Sequence, residues 1–412
     1  MAEAHATPKT TPDRAAGAGY AVAVLTTMNL LNYFDRYVPS AVKDLFKADL
    51  GLTDAQTSYP LTAFVFVYMF ASPLFASLAD RWPRRVIIAS GVAIWSVATS
   101  AAAFATGFWS LMAARALVGV GEAAYATLAP PLISDFFHPD RRNRILTLFY
   151  VAIPVGSAIG FALGGLFGQL YGWRTAFLLC GLPGLLAAGA ALGIRDPGRG
   201  TWEPAGAPTT GGWRAALTAL GENRTFVVAV MGYTAVTFAA GGMADWLPTW
   251  LVRERGADVA QAGTLVGAVT VVGGLGGTVV GGILADRLRG RTRNPYLALA
   301  AISMVPATGL AALALSLPTL YGSVAAIGFA QFFLWFYNGP INTVIANAVP
   351  VDLRVRAFGL SILCIHLLGD AISPPIIGAI SDATGDLRLA VLLVPAAMGV
   401  GAAVWAYGWR RL

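Results

Sequence analysis

Leu78-Ala79-Asp80-Arg81 recurs as Leu284-Ala285-Asp286-Arg287, an offset of 206 residues in a chain of 412. Each copy closes a long apolar run and opens a basic turn, so the repeat marks equivalent points of two halves. Gly156-Ser157-Ala158-Ile159 likewise matches Gly369-Asp370-Ala371-Ile372 at an offset of 213, and Gly165 matches Gly378 at the same offset. Two matches in the same order predict a parallel internal duplication, the organisation of two-lobed membrane carriers.

Composition points the same way. Hydrophobic residues are 57% of the chain and charged residues 12%, about half the usual share near 25%, and mean hydropathy is +0.66. The charges fall in short bursts between apolar runs of about 20 residues, enough to cross ~30 Å of hydrocarbon. This argues against a water-soluble globular protein and predicts an all-α membrane protein of twelve transmembrane helices in two six-helix lobes. The spans read as 18–42, 56–79, 86–106, 108–134, 144–170, 174–194, 225–250, 260–284, 295–316, 319–348, 356–380 and 388–408. The layout is then an N-terminal tail over 1–17, a lobe over 18–194, a Gly/Pro/Thr-rich linker over 195–224, a lobe over 225–408 and a tail over 409–412. The first apolar run has no early small-residue cleavage site, so it reads as a span and not as a removable signal.

Twenty basic residues lie in the tails and alternate loops on one side, among them Arg81, Arg84, Arg85, Arg141, Arg142, Arg287 and Arg354, against six on the other. Both termini are therefore expected to be cytoplasmic. That distribution also accounts for the net charge of +7 and leaves no basic face for nucleic acid. Two cysteines and three histidines supply neither a disulfide framework nor a metal site, and there is no Gly-x-x-x-x-Gly-Lys-Ser/Thr run. No cofactor is expected. Three lysines against 25 arginines fit a GC-rich bacterial genome, and hence an inner-membrane location.

Ionisable groups inside a bilayer cost ~2.5–3.5 kcal/mol each on insertion scales, so each needs a partner or a water-filled cavity. The first span holds Asn32-Tyr33-Phe34-Asp35-Arg36, with Asn32 and Asp35 on one face and Arg36 about 100° further round. The fourth holds Arg115, Gly119 and Glu122 on one face, followed by Tyr125. Arg115 and Glu122 are separated by about 10.5 Å of helix rise, so each is expected to face the first span, where Asp35 and Arg36 carry the opposite charges. A buried network that only fixes packing is the competing reading.

The basic turns hold Asp80, Arg81, Arg84 and Arg85 in the first half and Asp286 and Arg287 in the second. Arginines there are ordinary topology signals, but an aspartate contributes little to topology, which suggests a gate. Gly160, Gly164 and Gly168 form small-xxx-small pairs, matched by Gly369, Pro374, Pro375 and Gly378, and suggest close, movable packing between lobes. In the second half Trp335, Asn338, Asn342 and His366 could line a cavity for an amphipathic ligand; a satisfied core histidine is an equal reading of His366. Asp245 and Asp370 are the other charges there.

These spans and motifs resemble the major facilitator superfamily over essentially the whole chain, although Ala76 and Pro83 stand where its signature after the second helix has glycine. Within it, Asn32-Tyr33-Phe34-Asp35-Arg36, Gly119-Val120-Gly121-Glu122-Ala123-Ala124-Tyr125 and Ala152-Ile153-Pro154-Val155-Gly156-Ser157 resemble the Spinster branch. The resemblance implies a proton-coupled carrier of a lysophospholipid or sphingolipid phosphate by alternating access. It makes Asp35 and Glu122 the proton-coupling candidates, Arg36 and Arg115 their partners or head-group ligands, and Asp80 the gate. The expected partners are protons, membrane lipids and a lipid-like or amphipathic organic anion, with the protein acting as a monomer. Rivals are a carrier of a soluble organic anion or drug, a gradient-insensitive lipid facilitator or scramblase, and an intramembrane lipid-processing enzyme, which would need a nucleophile with its base or a metal.

Overall fold

In the computed structural model, residues 15–198, 213–288, 291–350 and 353–412 are described. Residues 1–14 of the expected tail, 199–212 of the expected linker, and Arg289 and Gly290 of the second basic turn lie outside them. Among the described residues the secondary structure is entirely helical: α1 (Ala18–Ala41), α2 (Lys43–Leu50), α3 (Asp54–Leu78), α4 (Arg84–Ala102), α5 (Phe108–Phe136), α6 (Pro139–Tyr171), α7 (Trp173–Leu192), α8 (Trp213–Glu222), α9 (Arg224–Arg255), α10 (Val259–Leu288), α11 (Pro295–Ser316), α12 (Leu320–Leu334), α13 (Asn338–Ala348), α14 (Arg354–Ile365), α15 (Ser373–Thr384), α16 (Leu387–Val391) and α17 (Leu393–Arg411).

Eleven helical stretches among the described residues are long and apolar enough to cross a membrane. α1, at 24 residues, has the length, but Asn29, Asn32, Asp35 and Arg36 lower its hydropathy below theirs. Three of the eleven are interrupted, the last only by a turn at Leu392 between α16 and α17. α12 passes through a 3-10 turn at Trp335–Tyr337 into α13, and α14 passes through a π turn at His366–Asp370 before α15, which begins at Ser373 with prolines at 374 and 375. Proline lacks the donor that would continue the helix, so the break falls before it. Sequence periodicity ran straight through all three breaks. It also missed α2 and α8, short segments between spans.

Buried apolar side chains form two first-half clusters, one around Trp95, Tyr125 and Phe136, the other around Phe46, Trp173 and Phe177. A larger second-half cluster surrounds Trp246, Trp250, Met304, Met398 and Trp405. Glycines set the closest approaches. A Cβ on Gly156 would come 2.5 Å from the Leu30 carbonyl oxygen, and Gly160 abuts Phe34 in the same way, so the stripe on α6 packs against α1 of its own half. Gly165 on the next face meets Val259 of α10, whose Gly263 and Gly267 in turn meet Phe161 and Ala158. Gly378 of α15 meets Asp54 and Ala55 of α3. The matched glycines of the repeat thus both reach the opposite half, each through its own partner helix and not through each other.

Candidate substrate and coupling site

Helical spacing builds a cavity of about 150 Å³ between the halves. Tyr33, Arg36, Tyr37 and Ser40 stand at i, i+3, i+4 and i+7 on α1, and Leu61, Phe64, Val65 and Tyr68 repeat that spacing on α3. The facing wall is Gly241, Ala244 and Asp245 of α9 with His366 and Asp370 of the π turn. His366 Nδ1 lies 3.0 Å from the Asp370 carboxylate.

Two buried ion pairs stand behind the first wall. Arg36 Nη2 donates to Glu122 Oε2 at 2.5 Å; the Glu122 side chain is fully buried and that of Arg36 is 20% exposed. The Arg36 guanidinium carbon lies 4.7 Å from the Tyr33 ring centre and 4.9 Å from that of Phe64, within the range in which a ring face attracts a cation. Beside it, Asp35 accepts from Thr99 Oγ1 at 2.5 Å and faces Arg115 Nη1 at 3.6 Å, with both Asp35 and Arg115 buried. Adjacent residues of α1 therefore reach charges 7 residues apart on α5, and Gly119 between them lets α5 close on the Phe64 backbone of α3.

This cluster is incompletely bonded. Asp35 Oδ1, Glu122 Oε1, Arg36 Nε, both Arg115 Nη atoms and Asn32 Nδ2 are buried without a hydrogen-bond partner. Buried polar atoms are nearly always bonded, so such a concentration marks a place for water, protons or a ligand.

Other residues singled out in the sequence lie elsewhere. Tyr125 is in the first-half core, its hydroxyl donating to the Leu25 carbonyl at 2.7 Å and its ring packed edge-on to Trp95. Trp335 packs on Gly277 of α10, and Asn342 Nδ2 donates to the Asn338 carbonyl at 2.7 Å; none of these three lines the cavity. Arg84 is buried and bonds Asp135 of α5 at 2.5 Å and Asp196, beyond α7, at 2.5 and 2.8 Å, tying together elements of one half. Asp80, Arg81, Arg85, Asp286 and Arg287 are exposed at the ends of α3, α4 and α10.

Sequence reasoning missed the closure of the opposite face. Arg253, near the end of α9, donates to Asp44 at 2.5 Å and to Asp54 at 2.8 and 2.9 Å. Asp54 also pairs with Lys47 and accepts from Ser381 Oγ at 2.6 Å. Asp382 of α15 accepts from the Asp54 and Ala55 amides at 2.8 and 2.9 Å, capping α3 from the other half. Between this seal and the cavity, Lys43 bonds Asp245. The one signal in the sequence is the density of Lys43, Asp44, Lys47 and Asp54 within 12 residues.

Long apolar helices around a charged cavity sealed at one face define a membrane carrier. Residues 25–374 match the model of the Major Facilitator Superfamily. Among curated proteins, the human protein spinster homolog 1 is 36% identical over 392 residues, covering 88% of this chain and 72% of the relative. The zebrafish protein spinster homolog 3 is 34% identical over 395 residues, 91% and 79% of the two chains. A bacterial homologue of the human lysosomal transporter Spinster, solved in an inward-facing and occupied conformation, superposes with a TM-score of 0.83 at 22% identity over 96% of this chain and 97% of its own. The chain belongs to the major facilitator superfamily and, within it, to the Spinster family, and is a multi-pass membrane transporter and not an enzyme.

Proposed function

We propose that this transporter moves a lipid-like amphipathic anion, of the lysophospholipid or sphingolipid phosphate class, by proton-coupled alternating access. The observation that carries the reading is the Arg36–Glu122 pair: a cation flanked by aromatic rings, 20% exposed on the cavity wall and backed by a fully buried carboxylate with one unbonded oxygen. An anionic head group arriving at Arg36 competes with Glu122, and a proton on Glu122 releases Arg36 to it. Asp35 and Arg115 form a second, wholly buried pair behind it, with the acid on α1 and the cation on α5. Asn32 supplies a further free donor and His366 a polar contact on the opposite wall. The fatty tail lies against the rings of Phe64 and Tyr68 and the apolar surface beyond them.

In this reading α1 is the twelfth span, with six spans in each of two rocking lobes. The termini are cytoplasmic in a bacterial inner membrane, and the protein works as a monomer. The closed face is then the outer one and the conformation is inward-facing. Arg84 with Asp135 and Asp196, together with Asp80, Arg81, Arg85, Asp286 and Arg287, forms the cytoplasmic gate of the opposite state. Trp335, Asn338, Asn342 and Tyr125 support helices and do not touch cargo in this conformation.

The test is flux of labelled lysophospholipid or sphingosine-1-phosphate into liposomes carrying the purified protein under an imposed pH gradient, beside Asp35→Asn and Glu122→Gln. The proposal expects gradient-driven flux in the wild type and its loss in both variants. Flux that ignores the gradient and survives both changes would identify a facilitator or scramblase. Absence of lipid flux in folded protein, with uptake of short organic anions, would identify a soluble-anion carrier.

A further inference from the structure

A third buried charge pair lies outside the Asp35–Arg115 and Arg36–Glu122 cluster. The Lys43 side chain is 1% exposed and that of Asp245 is 4% exposed, although one leaves the end of the first span and the other belongs to α9 of the opposite half. Asp245 accepts from Lys43 Nζ and from two first-half hydroxyls, Ser58 Oγ at 2.6 Å and Ser40 Oγ at 3.2 Å. Lys43 also donates to Ser58 at 3.0 Å and sits 3.8 Å above the Trp246 ring centre. Every donor found on the Asp245 carboxylate therefore comes from the other half. Relative movement of the halves at the sealed face removes all three together.

Asp245 also lines the central cavity, and a second, much smaller pocket of about 10 Å³ is lined jointly by Arg36, Arg115, Lys43 and Asp245. The carboxylate thus stands between the seal and the charged cluster, within reach of protons in either. We infer that Asp245 is a second proton-binding site, on the second-half wall, where a proton takes the place of Lys43 when the sealed face opens. The inference rests on the alternating access proposed above and adds the device by which opening of the seal is tied to proton binding.

The sign follows from the contacts. In the sealed state three donors balance the Asp245 carboxylate; in the open state all three are lost, and Gly241, Ala244 and Trp246 beside it supply no charge in their place. Breaking a buried pair by removing one partner is strongly destabilising unless the remaining charge is neutralised, and the proton does this. The other charges facing the pair do not replace Lys43. Arg36 and Arg115 are engaged by Glu122 and Asp35, His366 pairs with Asp370, and Asp44 and Asp54 are held by Arg253 and Lys47. Acid therefore favours the open state of this face, and by reciprocity opening draws in a proton.

The experiment places spin labels at Ala48→Cys and Ala383→Cys, exposed positions flanking the seal from the two halves, in protein with Cys180→Ala and Cys364→Ala, reconstituted in lipid nanodiscs without cargo. The separation of the labels reads the seal directly. From about pH 8 to about pH 5 the open fraction of the wild type is expected to rise, by up to about tenfold per pH unit, the limit for one coupled proton. Asp245→Asn, which strands Lys43, is expected to open the seal at both pH values. Lys43→Met, which strands Asp245, is expected to reverse the sign, sealing in acid and opening in base, because only the protonated carboxyl tolerates burial unpaired. The double variant is expected to stay sealed and to ignore pH. A wild type indifferent to pH, a normal pH response in Asp245→Asn, or pH-independent opening in both single variants would overturn the inference. Should Asp245→Asn fail to fold, the direction of the Lys43→Met response decides alone. Since no lipid flux is measured, lack of lysophospholipid transport would count against the proposed cargo and leave this result standing.

Discussion

Two of the charge groups in this molecule, the sealed face and the first-half wall, are bonded differently. At the sealed face Arg253 is shared between two carboxylates, and Asp54 has Lys47, Arg253 and Ser381. At the first-half wall Asp35, Arg36, Arg115 and Glu122 form only two pairs and leave five side-chain atoms unbonded. The seal leaves only Asp44 Oδ2 unbonded and specifies a geometry; a network with five such atoms is stable only while water, a proton or a ligand completes it. The difference separates the part of the carrier that holds a conformation from the part that holds cargo.

The largest effect expected from breaking this comparison is at Arg36. Arg36→Ala removes the cation presented to the cavity and strands Glu122. The loss of a charge-assisted hydrogen bond of about 1.5–3 kcal/mol should weaken binding of an anionic amphipath by about 10- to 150-fold, measured by equilibrium binding in detergent. Next comes Arg253→Gln, which cuts two carboxylates from one guanidinium. Cargo affinity should hardly change, while the labelled seal shifts toward open by about tenfold or more. An Arg253→Gln effect confined to affinity would erase the proposed division of labour.

A smaller effect sharpens the comparison. Tyr125→Phe deletes the hydrogen bond to the Leu25 carbonyl and should cost about 1 kcal/mol of stability in thermal unfolding with binding unchanged. If affinity fell instead, Tyr125 would belong to the cargo site. Smallest is Arg174→Gln. The Arg174 guanidinium, bonded to the exposed Asp49 carboxyl, holds that acid below the usual carboxylate range. The pair's contribution is present above about pH 4, the ordinary carboxylate value, and fades as pH falls through the lowered one. Thermal unfolding of the variant should thus differ slightly from wild type near neutrality and converge with it in acid, with no effect on the seal.

Much of this was legible in the sequence because a bilayer exaggerates it. Apolar runs of span length could hardly be anything but helices, and a charge inside one, such as Asp35 or Glu122, stands out against its neighbours. Facing charges on α1 and α5 followed from 3.6-residue periodicity, since 10.5 Å of rise separates Arg115 from Glu122. The breaks in α12–α13 and α14–α15 were hidden because a 3-10 or π turn changes backbone spacing without changing composition. The seal was hidden for another reason: Lys43, Asp54 and Arg253 sit at span ends, where charge is routine, and only the approach of the two halves gives them partners. Tyr33, Tyr37 and Tyr68 were not legible as cavity wall because aromatic residues at helical spacing are usually core. They become cavity wall only through the gap between the halves.

The most direct test of the central claim, that one incompletely bonded cluster takes both proton and head group, is calorimetric. Lysophospholipid is titrated into purified protein in buffers of different ionisation enthalpy, and the number of protons exchanged per molecule bound is read from the buffer dependence of the heat. The account predicts a non-zero proton number in the wild type that is abolished when Asp35→Asn and Glu122→Gln are combined. Tight binding with no proton exchanged at any pH between about 5 and about 8 would contradict it.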